Sequence, residues 1–272
     1  MKALIIACFS LLMFLPLRAF SESRTWNGEV DSSWSNADNW SPAGIPQQGD
    51  DVIIPKSMKV IISEETPNLN SLSLTGTLMT SNWLTAVRAD IITIKKNGEF
   101  TCGHPFESTE PSNRVWIVCR DLTVESGGKI NVNDKGYKYL NGPGKGAEEC
   151  GASYGGHGGG GWISARTPLP KIYGDAKNPI EPGSGGSYTG GDLSSSCRGG
   201  GAVLIEASGT VTVNGAITAC STTEGFGSND GMGSGGSVLI RTKRFKGSGG
   251  SILANGANGR TNWNTSALHH YS

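Results

Sequence analysis

Gly236-Ser237-Val238-Leu239-Ile240, followed by Ser251-Ile252-Leu253-Ala254-Asn255-Gly256, decides the fold. The same figure stands earlier as Gly201-Ala202-Val203-Leu204-Ile205 with Ala216-Ile217-Thr218-Ala219. In each, an apolar run, a short break and a second alternating run end on small residues or glycine. Working outward, the pattern reads five times: Val60-Ile61-Ile62 with Ser71 to Leu78, Leu84 to Gly103, Val115 to Asp134, Ala202 to Cys220, and Ser237 to Gly256. Trp116, Val203 and Val238 align, as do Val118, Ile205 and Ile240, and further on Ile130, Ile217 and Ile252. Short strands and glycine turns recurring at about 20 residues are the mark of a solenoid. One copy cannot bury its apolar face alone, and stacked copies share a continuous core. The expected fold is all-β: a single-stranded, right-handed parallel β-helix with one long glycine-rich insertion and an aromatic N-terminal cap.

Side chains two apart in a strand share a face. Phe100 and Cys102, Ile130 and Val132, Ile217 and Ala219, and Ile252 and Ala254 are therefore expected to form one inward ladder. Cys119 aligns with Glu206 and Arg241 and is expected outside, as is Cys220, one residue out of step. Val203-Leu204-Ile205 and Val238-Leu239-Ile240 are apolar on both faces, which suits strands covered on both sides. The insertion is the expected cover.

The 272 residues carry 23 basic and 23 acidic side chains, so formal net charge is zero. With no basic block apparent, nucleic acid is not an expected partner. Glycine reaches 41 residues, above the usual ~7%, without a collagen-like period. Residues 1–23 read as a secretory signal: Lys2, an apolar Ala3 to Leu17, then Ala19-Phe20-Ser21, with the mature chain beginning near Glu22. No later segment is apolar enough for a spanning helix. A secreted or cell-surface location follows. Residues 24–55 hold Trp26, Trp34 and Trp40 and read as the cap, shielding the first rung's exposed core and strand edge; the competing use of these rings is a sugar platform. Rungs are expected over 56–134 and 199–260, the insertion over 135–198, and a tail over 261–272.

Five cysteines remain beyond the signal: Cys102, Cys119, Cys150, Cys197 and Cys220. Export permits disulfides. Cys150 and Cys197 bracket the insertion and are the expected pair, closing a loop of about 48 residues for roughly 4 kcal/mol on chain-entropy grounds. No zinc-type spacing occurs.

Residues 40–103 resemble the G8 domain of extracellular proteins through Pro46, Gly49-Asp50-Asp51-Val52-Ile53-Ile54-Pro55, Leu72 to Leu78, Ile91 to Ile94, Gly98-Glu99-Phe100 and Gly103. Residues 121–259 resemble glycine-rich β-helical regions of secreted bacterial surface proteins, through Gly151-Ala152-Ser153-Tyr154-Gly155-Gly156-His157-Gly158-Gly159 and the paired strand runs. The resemblance implies an extracellular right-handed β-helix associated with glycans such as hyaluronan, and it supplies no catalytic residues.

A loop as long as the insertion inside a compact domain is usually functional or disordered. Its aromatic content favours an ordered excursion, with Tyr137, Tyr139, His157, Trp162, Tyr173 and Asp175 as candidate glycan contacts. The leading expectation is a secreted, non-catalytic surface or matrix protein that binds extracellular polysaccharide or a neighbouring surface protein, with no cofactor. The first alternative is a β-helix polysaccharide lyase or glycoside hydrolase. There Lys135, Lys138, Tyr137, Tyr139, His157 and Asp175 supply a base and a cation, and Ca²⁺ is held by acidic groups. The second is a purely architectural stacking module. Asp50-Asp51, Glu64-Glu65 and Glu148-Glu149 are adjacent carboxylates, but neighbours in a strand face opposite ways, which argues against a hydrolytic pair. Gly155 to Gly161 lacks the Gly-Lys-Ser/Thr ending of a phosphate loop. His104 and His157 read as surface or loop residues.

Overall fold

The computed structural model describes residues 21–107, 110–147, 150–159, 169–187, 197–222 and 231–258. Strands are β1 (Ser23–Trp26), β2 (Trp40–Ser41), β3 (Asp51–Ile54), β4 (Lys59–Ile62), β5 (Leu69–Leu74), β6 (Thr77–Thr80) and β7 (Ala86–Ile94). They continue with β8 (Glu99–Cys102), β9 (Val115–Val124), β10 (Lys129–Asn131), β11 (Ala202–Val213), β12 (Ala216–Thr218), β13 (Ser237–Lys246) and β14 (Ser251–Leu253). One sheet runs β13-β11-β9-β7-β5-β3-β1-β2 and the other β14-β12-β10-β8-β6-β4. Every pairing is parallel except β1 with β2. Each odd strand from β3 onward hands the chain to the following even one, so the strands stack as two-stranded rungs of a parallel β-solenoid.

Alternation builds the core. In β5 and β7, Leu72, Leu74, Ile92 and Ile94 are buried while Ser73 and Thr93 face out. Phe100, Ile130, Ile217 and Ile252 stand in register through β8, β10, β12 and β14, as the inward ladder required. The repeat has six two-stranded rungs from β3 to β14 rather than five copies. Val60-Ile61-Ile62 belongs to β4 and completes the rung begun by β3.

Two expectations are corrected by parity in β9. Val115, not Trp116, aligns with Val203, and Ile117, not Val118, aligns with Ile205. Val115, Ile117 and Cys119 therefore point inward and Trp116 points out. Cys119 pairs with Ala207 and is buried. Cys220 is also buried, held between neighbouring rungs: the Asn255 N–H donates to its Sγ at 3.3 Å, and its own N–H donates to Asn133 Oδ1 at 2.8 Å.

At the N-terminal end Trp26 and Trp34 each meet Trp40 edge-on, with centroids 4.9 and 4.8 Å apart. All three rings are buried, so they form a cap and not a sugar platform. Ser23 pairs with Asp51, which sets β1 alongside β3. Asp50 anchors this end. Its carboxylate accepts from Gln47 N at 2.8 Å, Glu22 N at 3.1 Å and Arg24 Nε at 3.0 Å. Burial alone would raise the Asp50 carboxyl, but those two N–H groups and the guanidinium outweigh it and hold it below its usual range. Asp51, the other half of that pair, accepts from Asn70 and Ser71 on the next rung.

Candidate functional site

The insertion packs into a layer of extended segments beside the rungs. Residues 182–187 lie at its centre and take hydrogen bonds to three neighbours. Gly183 N donates to Gly200 O at 2.8 Å, Gly185 N to Asn141 O at 3.0 Å, and Gly186 N to Cys197 O at 2.7 Å. On the third side Ser234 N donates to Ser184 O at 3.0 Å and Gly231 N to Ser187 O at 2.9 Å. A β-strand has two lateral neighbours; bonding in three directions suits an extended chain of three residues per turn. Close approach makes the glycines obligatory. A Cβ on Gly185 would lie 1.9 Å from Lys138 O, and one on Gly186 would lie 1.7 Å from Gly231 O.

Cys150 and Cys197 flank this central segment, both fully buried, and no disulfide joins them or any other pair among the described cysteines. Both cysteines are tied to the central segment through their backbone carbonyls. The Cys197 carbonyl accepts from Gly186 N, and the Cys150 carbonyl from Ser187 Oγ at 3.2 Å. The layer also covers the outer apolar side of β11 and β13, as their two-faced sequences required. Tyr154 sits beside Ser237, and Asn178 Oδ1 accepts from Arg241 at 2.8 Å.

This packing separates the insertion candidates. Tyr137 is buried edge-on against Phe106, with centroids 4.6 Å apart. The Tyr173 hydroxyl donates to Pro182 O at 2.6 Å and accepts from Ser184 Oγ at 2.9 Å, and its ring meets Tyr154 edge-on. Burial pushes the Tyr137 phenol up to about 12, helped by Glu110 and Glu181. It does the same to Tyr154, helped by Glu181, and pushes Tyr173 up as well. These phenols hold their protons and pack in the layer, and that of Tyr173 is also hydrogen-bonded there. His157 is exposed, with Nδ1 3.1 Å from Pro170 O. Asp175 is exposed and accepts from Lys177 N at 2.8 Å, closing a turn. Tyr139 lines an open cleft of about 380 Å³ with Glu107, Lys138, Leu140 and Asn141, where Lys138 pairs with Glu107. Trp162 and Glu148-Glu149 lie outside the described residues. The structure thus brings Tyr137 and Tyr173 together around Ser184 and leaves Tyr139, His157 and Asp175 apart.

A second constellation lies on the outer face of the eight-stranded sheet. Arg114 is sandwiched between two indoles, its guanidinium 4.6 Å from the Trp83 ring centre and 4.5 Å from that of Trp116. Its Nε donates to Trp83 O at 2.8 Å. Trp116 Nε1 donates to Glu206 Oε2 at 3.0 Å, and Glu206 pairs with Arg241 at 2.9 Å. Burial lowers the Arg114 pKa, opposed by Glu206. Both indoles remain half-exposed. Further along the same sheet, seven residues beyond Trp116 in β9, Thr123 stands in register with Ser73, Thr93 and Thr212 on the neighbouring strands, all half-exposed. At ~4.8 Å per strand this hydroxyl column is ~14 Å long. In Val115-Trp116-Ile117 the two aliphatic side chains are buried and the indole lies outside, a parity that the apolar run does not itself declare.

Among the described residues no group of three or more His, Cys, Asp or Glu side chains is placed to hold a metal ion, and no helix is long and apolar enough to cross a membrane. No curated protein and no solved structure matches the chain. Residues 25–104, from the tryptophan cap through β8, match the model of a domain of unknown function, DUF8693.

Proposed function

We propose that this chain is a secreted, non-catalytic surface or matrix protein whose solenoid binds a linear polysaccharide along the outer face of the eight-stranded sheet. The observation that carries the reading is the half-exposed Trp83–Arg114–Trp116 stack, with the hydroxyl column Ser73, Thr93, Thr123 and Thr212 further along the same sheet. Indole faces and edges give apolar area at small entropic cost and a polar handle, and hydroxyls in register repeat along the sheet as sugar hydroxyls repeat along a polymer. The likeness of residues 40–103 to G8 domains and of residues 121–259 to secreted β-helical proteins supports the same setting. A lyase at the insertion has less support, because Tyr137 and Tyr173 are packed in with raised phenols and a general base needs a pKa near the working pH.

The test is co-sedimentation with insoluble and immobilised polysaccharides, neutral and anionic, while new reducing or unsaturated chain ends are measured. Retention that falls in a Trp83→Ala/Trp116→Ala variant, with no new ends, supports the proposal. Retention unchanged in that variant, or new chain ends, overturns it.

A further inference from the structure

Among the described residues β13 pairs only with β11 and β14 only with β12. Ile252 stacks on Ile217, yet it is 41% exposed, and Phe245, opposite the buried Val211, is 54% exposed. At the other end three buried tryptophans close the first rung. One edge of β13 is therefore a row of backbone donors and acceptors with no strand beside it among the described residues, next to the mouth of the core.

The same strand carries a basic run that the chain's zero net charge conceals: Arg241, Lys243, Arg244 and Lys246, all exposed. Arg241 is paired with Glu206. Lys243, Arg244 and Lys246 have no ion pair among the described residues. Register sorts the strand into two faces. Arg244 and Lys246 align with the outward Thr210 and Thr212. Val238, Ile240 and Phe245 align with the core residues Val203, Ile205 and Val211. A strand added to this edge would meet Val238 and Ile240 on the core side of the first stretch and, beyond the register shift, Phe245 on the core side with Arg244 and Lys246 on the other.

We propose that the free edge of β13 is a docking site for an extended acidic peptide segment of a partner protein. The segment adds as one further strand, with alternate carboxylates facing Arg244 and Lys246 and its other side chains closing the core over Phe245 and Ile252. Charge selects this occupant. A second copy docking edge to edge would bring Arg244 and Lys246 against their own counterparts, and like charges across strands repel. Residues 259–272 contain Arg260, His269 and His270 but no Asp or Glu, so their charge has the wrong sign. This site goes beyond the polysaccharide face and does not depend on it.

The test uses a fluorescent ten-residue peptide alternating Glu and Val, blocked at both ends, against the full chain at moderate salt, read by anisotropy and by amide exchange across 238–246. The proposal expects saturable binding, slowed exchange of β13 amides, and about tenfold or greater weakening in Arg244→Glu/Lys246→Glu. Lys56→Glu/Lys59→Glu, a matched reversal far from this edge, should bind as the parent does. Any of several results overturns it: no binding; equal binding of an alternating Lys-Val peptide or of a Glu₅Val₅ block; equal binding of duplex DNA with no exchange protection in β13; binding that appears only after residues 259–272 are deleted; or a dimer in sedimentation that Arg244→Glu/Lys246→Glu dissociates.

Discussion

Arg24 and Asp50 join the first strand to the turn before β3: Nε of the arginine lies 3.0 Å from Oδ2 of the aspartate, both side chains largely withdrawn from water. The same guanidinium donates to the carbonyls of Pro42 and Gly44 at 3.0 and 3.1 Å. One cation thus holds β1, the segment after β2 and the start of β3 together. Arg24→Ala leaves a buried carboxylate with only its backbone donors and removes those bridges. It should cost about 3 kcal/mol, read as a lower midpoint in urea at unchanged slope.

The pH dependence follows from two groups of opposite sign. Asp50 has a folded pKa below its ordinary 3.8. Its contribution is whole above that value and is lost as pH falls through the depressed one, because the unfolded chain takes the proton first. Tyr137 and Tyr154 are raised from 10.0 to about 12. Their contribution is whole below pH 10.0 and is lost as pH climbs toward about 12, since only the unfolded chain ionises in that window. Thermal melts should show a plateau between these limits. Asp50→Asn should flatten the acid limb and Tyr137→Phe the alkaline one.

Glycines of the layer should divide sharply. Gly186→Ala puts a methyl 1.7 Å from the Gly231 carbonyl, whereas the same change at Gly155 meets nothing within 4 Å. Overpacking against backbone costs ~1–3 kcal/mol and more when nothing can move. Gly186→Ala should therefore lower the melting temperature by at least about 5 °C, and Gly155→Ala should leave it within error.

The cysteines should behave as core residues. Burial raises the Cys102 thiol to about 12, and burial with Asp121 nearby does the same to Cys119. Both should resist a maleimide at neutral pH until the chain unfolds. With no bridge among the described cysteines, dithiothreitol should not shift the melting temperature.

Tyr173→Phe separates structure from binding. It deletes the hydroxyl between Pro182 O and Ser184 Oγ and should cost about 1 kcal/mol. Polysaccharide retention should stay at the parent level, whereas Trp116→Ala should reduce it about tenfold.

The solenoid was legible because a buried strand writes itself as alternation. Leu72-Ser73-Leu74 and Ile92-Thr93-Ile94 declare which side is inside, and Ile130, Ile217 and Ile252 declare the stacking. Val115-Trp116-Ile117-Val118-Cys119 did not declare it, because every residue there is apolar and either parity looks buried. The register with β11, which sets Val115 on Val203 and Ile117 on Ile205, settles which side is wet. The burial of Tyr137 was hard to read for a related reason. Tyrosines in a glycine-rich stretch look like exposed ligand contacts, yet glycine also lets backbones approach closely enough to bury them. The Arg241 to Lys246 run was lost in a net charge of zero, which averages over the faces and ends that a solenoid keeps apart.

The tryptophan cap gives the molecule a direction. Rungs coupled only to their neighbours come apart from whichever end is least held. Trp26, Trp34 and Trp40 seal one end, so β14 and β13 are the first to let go and β3 the last. As the chain is made from that sealed end, each finished rung offers its successor a template already in register.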